Sequence, residues 1–119
     1  MDRMTRLLWK AFKLAIKEKI MVIAVEKNEI RGLGIIDIIN SELCAIYVHP
    51  CSIGKGIGKK ILSHLEAFAK DNGIHRLTLG STINALGFYK KHGYIEKSEV
   101  FHELPNKIRL KCIKMHKIL

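Results

Sequence analysis

HPCSIGKGIGKKIL, residues 49–62, carries three glycines on alternate positions, Gly54, Gly56 and Gly58, then two lysines and a helical pattern. Ile57, Ile61, Leu62, Leu65, Phe68 and Ala69 mark one face of a helix expected over 56–71, and Asn72-Gly73 supplies its stop. A glycine-rich loop that opens a helix suits an anion. The free N–H groups of the first turn point outward, and the helix dipole adds partial positive charge. Spacing removes two familiar anion loops. A P-loop needs GxxxxGK[ST], but Gly54 to Gly58-Lys59 is one residue short, and Lys60 stands where Ser or Thr is required. A dinucleotide fingerprint needs GxGxxG, whereas the spacing here is GxGxG, and no acidic residue closes a following strand in the expected place.

The flanking segments supply a fold around this loop. Upstream, 20–26 and 30–39 are short, apolar and rich in β-branched residues, with KNE (27–29) as a turn between them. NSE (40–42) is a second turn, and 43–48 is a third strand, stopped by His49-Pro50. Turns this short imply an antiparallel meander. Downstream of the helix, 75–81 reads as a strand. A strand, a crossover helix and a strand make a βαβ unit, so 75–81 is expected parallel to 43–48. Residues 84–92 form a short helix ended by Gly93, with Ala85, Phe88, Tyr89 and His92 at helical spacing. Two strands close the chain, 94–101 and 107–116, with ELPN (103–106) between them. Period-two alternation runs through Ile108, Leu110 and Cys112, then slips before Met115. At the front, Leu8, Phe12 and Ala15 with Ile16 recur at helical spacing, so 3–19 is expected to be an amphipathic helix. The class is α/β with a mixed sheet, in a single domain over 1–119.

The formal charge of +10, from 21 Lys and Arg against 11 Asp and Glu, favours anionic partners. It also keeps a surface soluble, and the nearest thing to a cluster is Lys55, Lys59 and Lys60 around the glycine loop. Nucleic acid is disfavoured as a partner, because no recognition motif occurs and aromatics interleaved with the lysines are few. Cys44, Cys51 and Cys112 are odd in number and form no CxxC, which fits a reducing, cytoplasmic setting better than a disulfide framework. The six histidines show no metal-ligand spacing with one another or with the cysteines, so no metal is expected. No membrane span or signal peptide is readable, and no membrane partner is expected.

VHPCSIGKGIGKKIL resembles the acetyl-coenzyme A loop of the GNAT acetyltransferase superfamily. That pattern is Gln or Arg, two residues, Gly, one residue, then Gly or Ala, opening the long central helix. Gly56 and Gly58 fill the glycine positions, and Val48 and Pro50 stand where members commonly carry Val-x-Pro. A second segment, STINALGFYKKHGY (81–94), is similar to the family's later motif through Asn84, Phe88, Tyr89, Gly93 and Tyr94. The terminal MHKIL resembles the Met-x-Lys-x-Leu close of many members. The resemblance covers roughly residues 20–119.

The resemblance implies a GNAT-like, mostly antiparallel mixed sheet in which 43–48 and 75–81 splay apart around the central helix. Acetyl-coenzyme A would lie in that V, with coenzyme A as product and a primary amine as acceptor. Ile46 and Val48, with Tyr47 between them, would offer main-chain groups to the pantetheine arm, as an added strand does. The N–H groups over Ile53, Gly54, Lys55, Gly56, Ile57, Gly58 and Lys59 would hold the pyrophosphate, and a side chain at 56 or 58 would block backbone approach or close packing. Asn84 would contact the pantetheine. Tyr89 matches the family tyrosine near the thioester sulfur and would act as general acid; without the motif it reads as a core aromatic. Glu42 is the candidate base and also reads as a solvated turn residue. His49 and Tyr47 are other candidates, and an amine that arrives neutral needs no base.

Two departures stand out. Ile53 occupies the Gln or Arg position and cannot bond a phosphate, a loss that Lys55, Lys59 or Lys60 could offset. The family's strand and two helices before the meander are replaced here by the one expected helix, so a homodimer is a candidate to complete the acceptor pocket. The rival function is a non-catalytic acyl-coenzyme A-binding module.

Overall fold

The computed structural model describes residues 7–14 and 19–119. Strand β2 (Lys19–Glu26) and strand β3 (Glu29–Asp37) pair antiparallel through a two-residue turn. Lys27 and Asn28 both take positive φ there, 53° and 63°, which matches the turn to the right-handed twist of the strands. Strand β4 (Glu42–Val48) returns antiparallel beside β3. The Asp37 carboxylate holds the connecting turn by accepting the Asn40 amide at 3.0 Å and its side-chain nitrogen at 2.9 Å. These are the meander and turns expected from sequence.

Helix α1 (Ile57–Asp71) crosses to strand β5 (Arg76–Ser81), which lies parallel to β4 as the βαβ argument required. Helix α2 (Leu86–Lys91) follows a 3₁₀ turn over Ile83–Ala85. Strand β6 (Ile95–Glu103) and strand β7 (Arg109–Ile118) close the chain as a hairpin, and β7 inserts between β5 and β6. The slip expected near Met115 lies instead in β6, where a bulge at Lys97 shifts the register. β7 itself runs regularly, with Cys112 on one face and Ile113 and Met115 on the other.

The segment expected as a helix over 3–19 is corrected: Leu8–Lys13 is strand β1, antiparallel to β2 from Leu8 opposite Val25 to Lys13 opposite Ile20. The rest of that segment, 3–6 and 15–18, lies outside the described residues. The same apolar residues satisfy both periods. In the strand, Trp9 turns toward α1 and stacks on His64 at 4.3 Å, while Leu8 and Phe12 turn to the opposite face. Pairing with β2 satisfies a backbone edge that a helix would leave open, and tertiary context overrides local pattern.

The completed sheet has seven strands in the order β1-β2-β3-β4-β5-β7-β6. The core lies between it and the helices. Val22, Ile36, Leu77, Leu79 and Met115 from the sheet meet Ile57, Ile61, Leu62 and Leu65 of α1, with Tyr89 of α2 alongside. Among the described residues no helix covers the other face.

Candidate active site

Hydrogen-bonded pairing of β4 with β5 consists of Glu42 opposite Thr78 and Leu43 opposite Leu79, and then the strands part. A bulge begins the divergence: Ile35 and Ile36 of β3 face Ala45 and Leu43, which leaves Cys44 as the extra residue. Beyond it, β4 is regular. The His49 amide donates to Arg31 on β3 at 2.8 Å, and the Tyr47 carbonyl faces Gly32. Alternation along the strand therefore turns the main-chain groups of Ile46 and Val48 away from β3, into the gap. Tyr47, also expected to meet the cofactor, is turned the other way. Its main chain is turned to β3, and its side chain is exposed on the face away from α1.

The gap ends at the N-terminus of α1. Gly56 is the residue before the first turn and caps nothing, because it has no side chain. The first helical bond runs from Lys60 N–H to the Gly56 carbonyl, so the N–H groups of Ile57, Gly58 and Lys59 have no partner within the helix. Gly54 and Gly56 sit at φ 85° and 77°, in the left-handed region that a side chain disfavours. The reason expected for glycine at 56 and 58 is corrected in part. A Cβ at Gly56 meets nothing within 4 Å, so conformation rather than crowding demands glycine there; at Gly58 it meets Phe88 and Val48 at an ordinary 3.5 Å.

A cleft of about 420 Å³ joins these elements, lined by Val48, Ile53, Gly56, Gly58, Phe88 and His92. Lys59 and Lys91 stand at the same cleft. Phe88, Lys91 and His92 were not singled out for the site from sequence. Their signal was their spacing: i, i+3 and i+4 on one short helix share a face. The His92 ring meets Phe88 edge-on at 4.8 Å. Burial first, then Lys59 and Lys91, hold its pKa below the ordinary histidine value. Ile53 is 69% exposed at the rim.

The expected catalytic residues lie elsewhere. Tyr89 is buried, with its ring edge-on to Phe88 at 5.2 Å and to Tyr94 at 5.8 Å, and burial raises its pKa. Glu42 is exposed at the point where β4 and β5 part, on the sheet face away from α1, beside a separate pocket. His49 is occupied structurally. Its Nδ1 accepts the Cys51 amide at 3.1 Å, which leaves the proton on Nε2 and argues against a base there. Asn84 is exposed in the 3₁₀ turn after β5.

A family model described as an acetyltransferase (GNAT) domain matches residues 4–117. The chain is 29% identical over 58 residues to an uncharacterized N-acetyltransferase, ycf52-like, of Prochlorococcus marinus; the match covers 49% of this chain and 32% of that protein. In structure it is similar to a GCN5-related N-acetyltransferase of Rhodopseudomonas palustris, at a TM-score of 0.78 and 26% identity over 85% of this chain and 62% of that one. A PaiA N-acetyltransferase of Thermoplasma acidophilum, solved in complex with coenzyme A, shares the fold at a TM-score of 0.68 and 23% identity, over 85% of this chain and 61% of that one. The chain thus spans about a third of that curated relative and about three fifths of each of these structures. With a parting parallel pair of strands, an uncapped glycine-led helix beside it and a model match over nearly its whole length, the chain belongs to the GNAT acetyltransferase family.

Proposed function

We propose that this chain transfers an acetyl group from acetyl-coenzyme A to a primary amine by direct attack on the thioester. The observation that carries the reading is the gap between β4 and β5 opening onto the uncapped α1 N-terminus. The pyrophosphate would sit on the amides of the Gly54–Lys59 loop, where the dipole and Lys59 favour negative charge. The pantetheine would run along Ile46 and Val48 as an added strand, with Asn84 at its far side. Position does most of the work in such a reaction: holding amine and thioester in contact replaces a bimolecular encounter. Glu42 is the candidate base for the incoming ammonium and Tyr89 the candidate acid for the leaving thiolate. The three cysteines, all free, fit the cytoplasm as compartment. Thiol release from acetyl-coenzyme A across a panel of amines tests the reading; no release with any amine, together with no binding of the cofactor, overturns it.

A non-catalytic acyl-coenzyme A-binding module is the second reading, and Tyr89 is the observation that favours it. Burial keeps the phenol protonated at neutral pH, but by raising its pKa it also makes donation to the leaving thiolate less favourable. Tyr89→Phe separates the two. A markedly slower variant with unchanged cofactor affinity supports the enzyme and the acid role.

A further inference from the structure

We propose that the pocket on the sheet face away from α1, at the point where β4 and β5 part, is the acceptor site, and that it takes a small amine bearing an anionic group. The inference rests on the transferase reading above. The pocket holds about 190 Å³ and is lined by Glu42, Thr78, Gly80, Val100, His102 and Lys114. Four neighbouring strands contribute to it. Register sets Glu42 opposite Thr78, and Gly80 opposite Lys114, while Val100 and His102 of β6 lie opposite Cys112 and Leu110 of β7. Leu79, between Thr78 and Gly80, also borders the pocket, although it is buried in the core.

Gly80 keeps this pocket open. Its φ is not in the left-handed region, and a Cβ built there meets nothing within 4 Å. Neither backbone conformation nor packing requires glycine, and glycine inside a strand weakens it. What the missing side chain leaves is the floor of the pocket.

The charges on the walls select the ligand. Glu42 stands on β4 level with Thr78, and Lys114 stands two strands away on β7 and two residues further along, about 12 Å from backbone to backbone at the usual strand spacing and rise. Among the described residues neither is in an ion pair. An ammonium is matched by Glu42 and an anion a few bonds away by Lys114, with His102 beside the pocket as a donor. A diamine would set its second cation against Lys114, and a neutral amine would leave Lys114 unmatched. Carboxylate and phosphate share the required chemistry.

The pocket and the cofactor gap meet at the same vertex. A thioester extended along Val48 and Ile46 toward Cys44 travels four residues, about 13 Å at a strand's rise, and its acyl end arrives beside Gly80. The ammonium gives one proton to Glu42, and the amine nitrogen bonds to the carbonyl carbon. The carbon–sulfur bond breaks, the thiolate takes its proton from Tyr89, and the second nitrogen proton restores the phenol. Glu42 releases its own proton to water.

The test uses the full chain with acetyl-coenzyme A, β-alanine, phosphoethanolamine, ethanolamine and putrescine. Amide-resolved NMR titration without cofactor is expected to shift Thr78, Gly80 and Val100 with β-alanine or phosphoethanolamine, and much less with ethanolamine or putrescine. In thiol release the anionic amines are expected to exceed ethanolamine at least tenfold in kcat/KM, with β-alanine and phosphoethanolamine separating carboxylate from phosphate. Lys114→Ala levels that preference. Gly80→Val abolishes transfer while calorimetry reads unchanged acetyl-coenzyme A affinity, and Gly80→Ala reports a milder loss. No shifts at the pocket, a preference for putrescine or ethanolamine, or full turnover by Gly80→Val overturns the proposal. Absent acetyl-coenzyme A binding by the wild type overturns the transferase reading instead, and the NMR arm judges the pocket independently.

Discussion

Gly34 sets how closely α1 lies on the sheet. A Cβ there would stand 2.5 Å from Ile61 Cγ2 and 2.7 Å from Leu65 Cδ1, both on α1, and both residues are fully buried. Neither neighbour has space to yield, so Gly34→Ala is expected to cost about 1–3 kcal/mol in urea unfolding, as overpacking does. Equal stability would mean that α1 rides freely over β3. This close approach was not legible in IRGLGIIDII, which reads as a strand with or without its glycines. Pairwise distance between distant segments is not written in local pattern. The half-buried cluster around Glu66, the next residue of α1, is a second case. The Tyr94 hydroxyl donates to Glu66 Oε2 at 2.8 Å, and Lys117 Nζ bonds both carboxylate oxygens at 3.1 Å. Burial first, then the bond to Glu66, raises the Tyr94 pKa far above its ordinary value of 10. A folded pKa raised above the unfolded one gives stability that is complete below about pH 10 and is lost as pH climbs beyond it. Unfolding measured from pH 8 to 11 should fall less steeply in Tyr94→Phe than in the wild type. Identical slopes would remove Tyr94 from the alkaline loss.

At the scale of elements, β2 through β7 and both helices stand close to where periodicity puts them; most bury one regular face, whereas β6 is exposed along nearly its whole length and is held by its pairing with β7. β1 does not. Leu8 and Phe12 fit a helical stripe, and Trp9, Ala11 and Lys13 fit the other side of a strand. Only the open edge of β2 decides between them. The cofactor loop is legible for a different reason: Gly54 and Gly56 adopt a backbone that other residues avoid, so the requirement is written in the residue type. Ile53 tests how much of the binding those amides carry. Ile53→Arg places a charged fork at an exposed rim, where solvent screens it, and is expected to tighten acetyl-coenzyme A two- to tenfold in calorimetry, about 0.5–1.5 kcal/mol. No gain would mean that the amides with Lys59 and Lys91 already saturate the site. The short helix α2 adds a proton-linked effect. Burial, Lys59 and Lys91 depress the His92 pKa, with Lys117 acting the same way and Glu66 opposing it. A phosphate in the cleft offsets the lysines and restores the imidazolium. Binding should therefore take up a proton and tighten as pH falls through the mid-6 range and below. Calorimetry in two buffers of different ionisation enthalpy reads that uptake directly, and His92→Asn should abolish it.

The whole molecule exposes more surface than its mass requires. A folded 13.6 kDa chain is expected to show about 6,600 Å² and a radius of gyration of about 13.5 Å. This one shows 7974 Å² and 14.9 Å. Among the described residues the helices cover only one face of the sheet. The other face of β1 to β4 presents Leu8, Phe12 and Tyr47, which are 61%, 44% and 48% exposed. A standard interface buries about 800 Å² on each partner. A second copy seated on this face would also wall the open side of the pocket floored by Gly80. Light scattering at micromolar concentration is expected to read twice 13.6 kDa. Phe12→Lys with Tyr47→Lys changes side chains already facing solvent and should restore the single mass without unfolding the chain. Wild-type chain that scatters as one copy across that range, with full transfer activity, would show that the acceptor pocket is complete within a single chain.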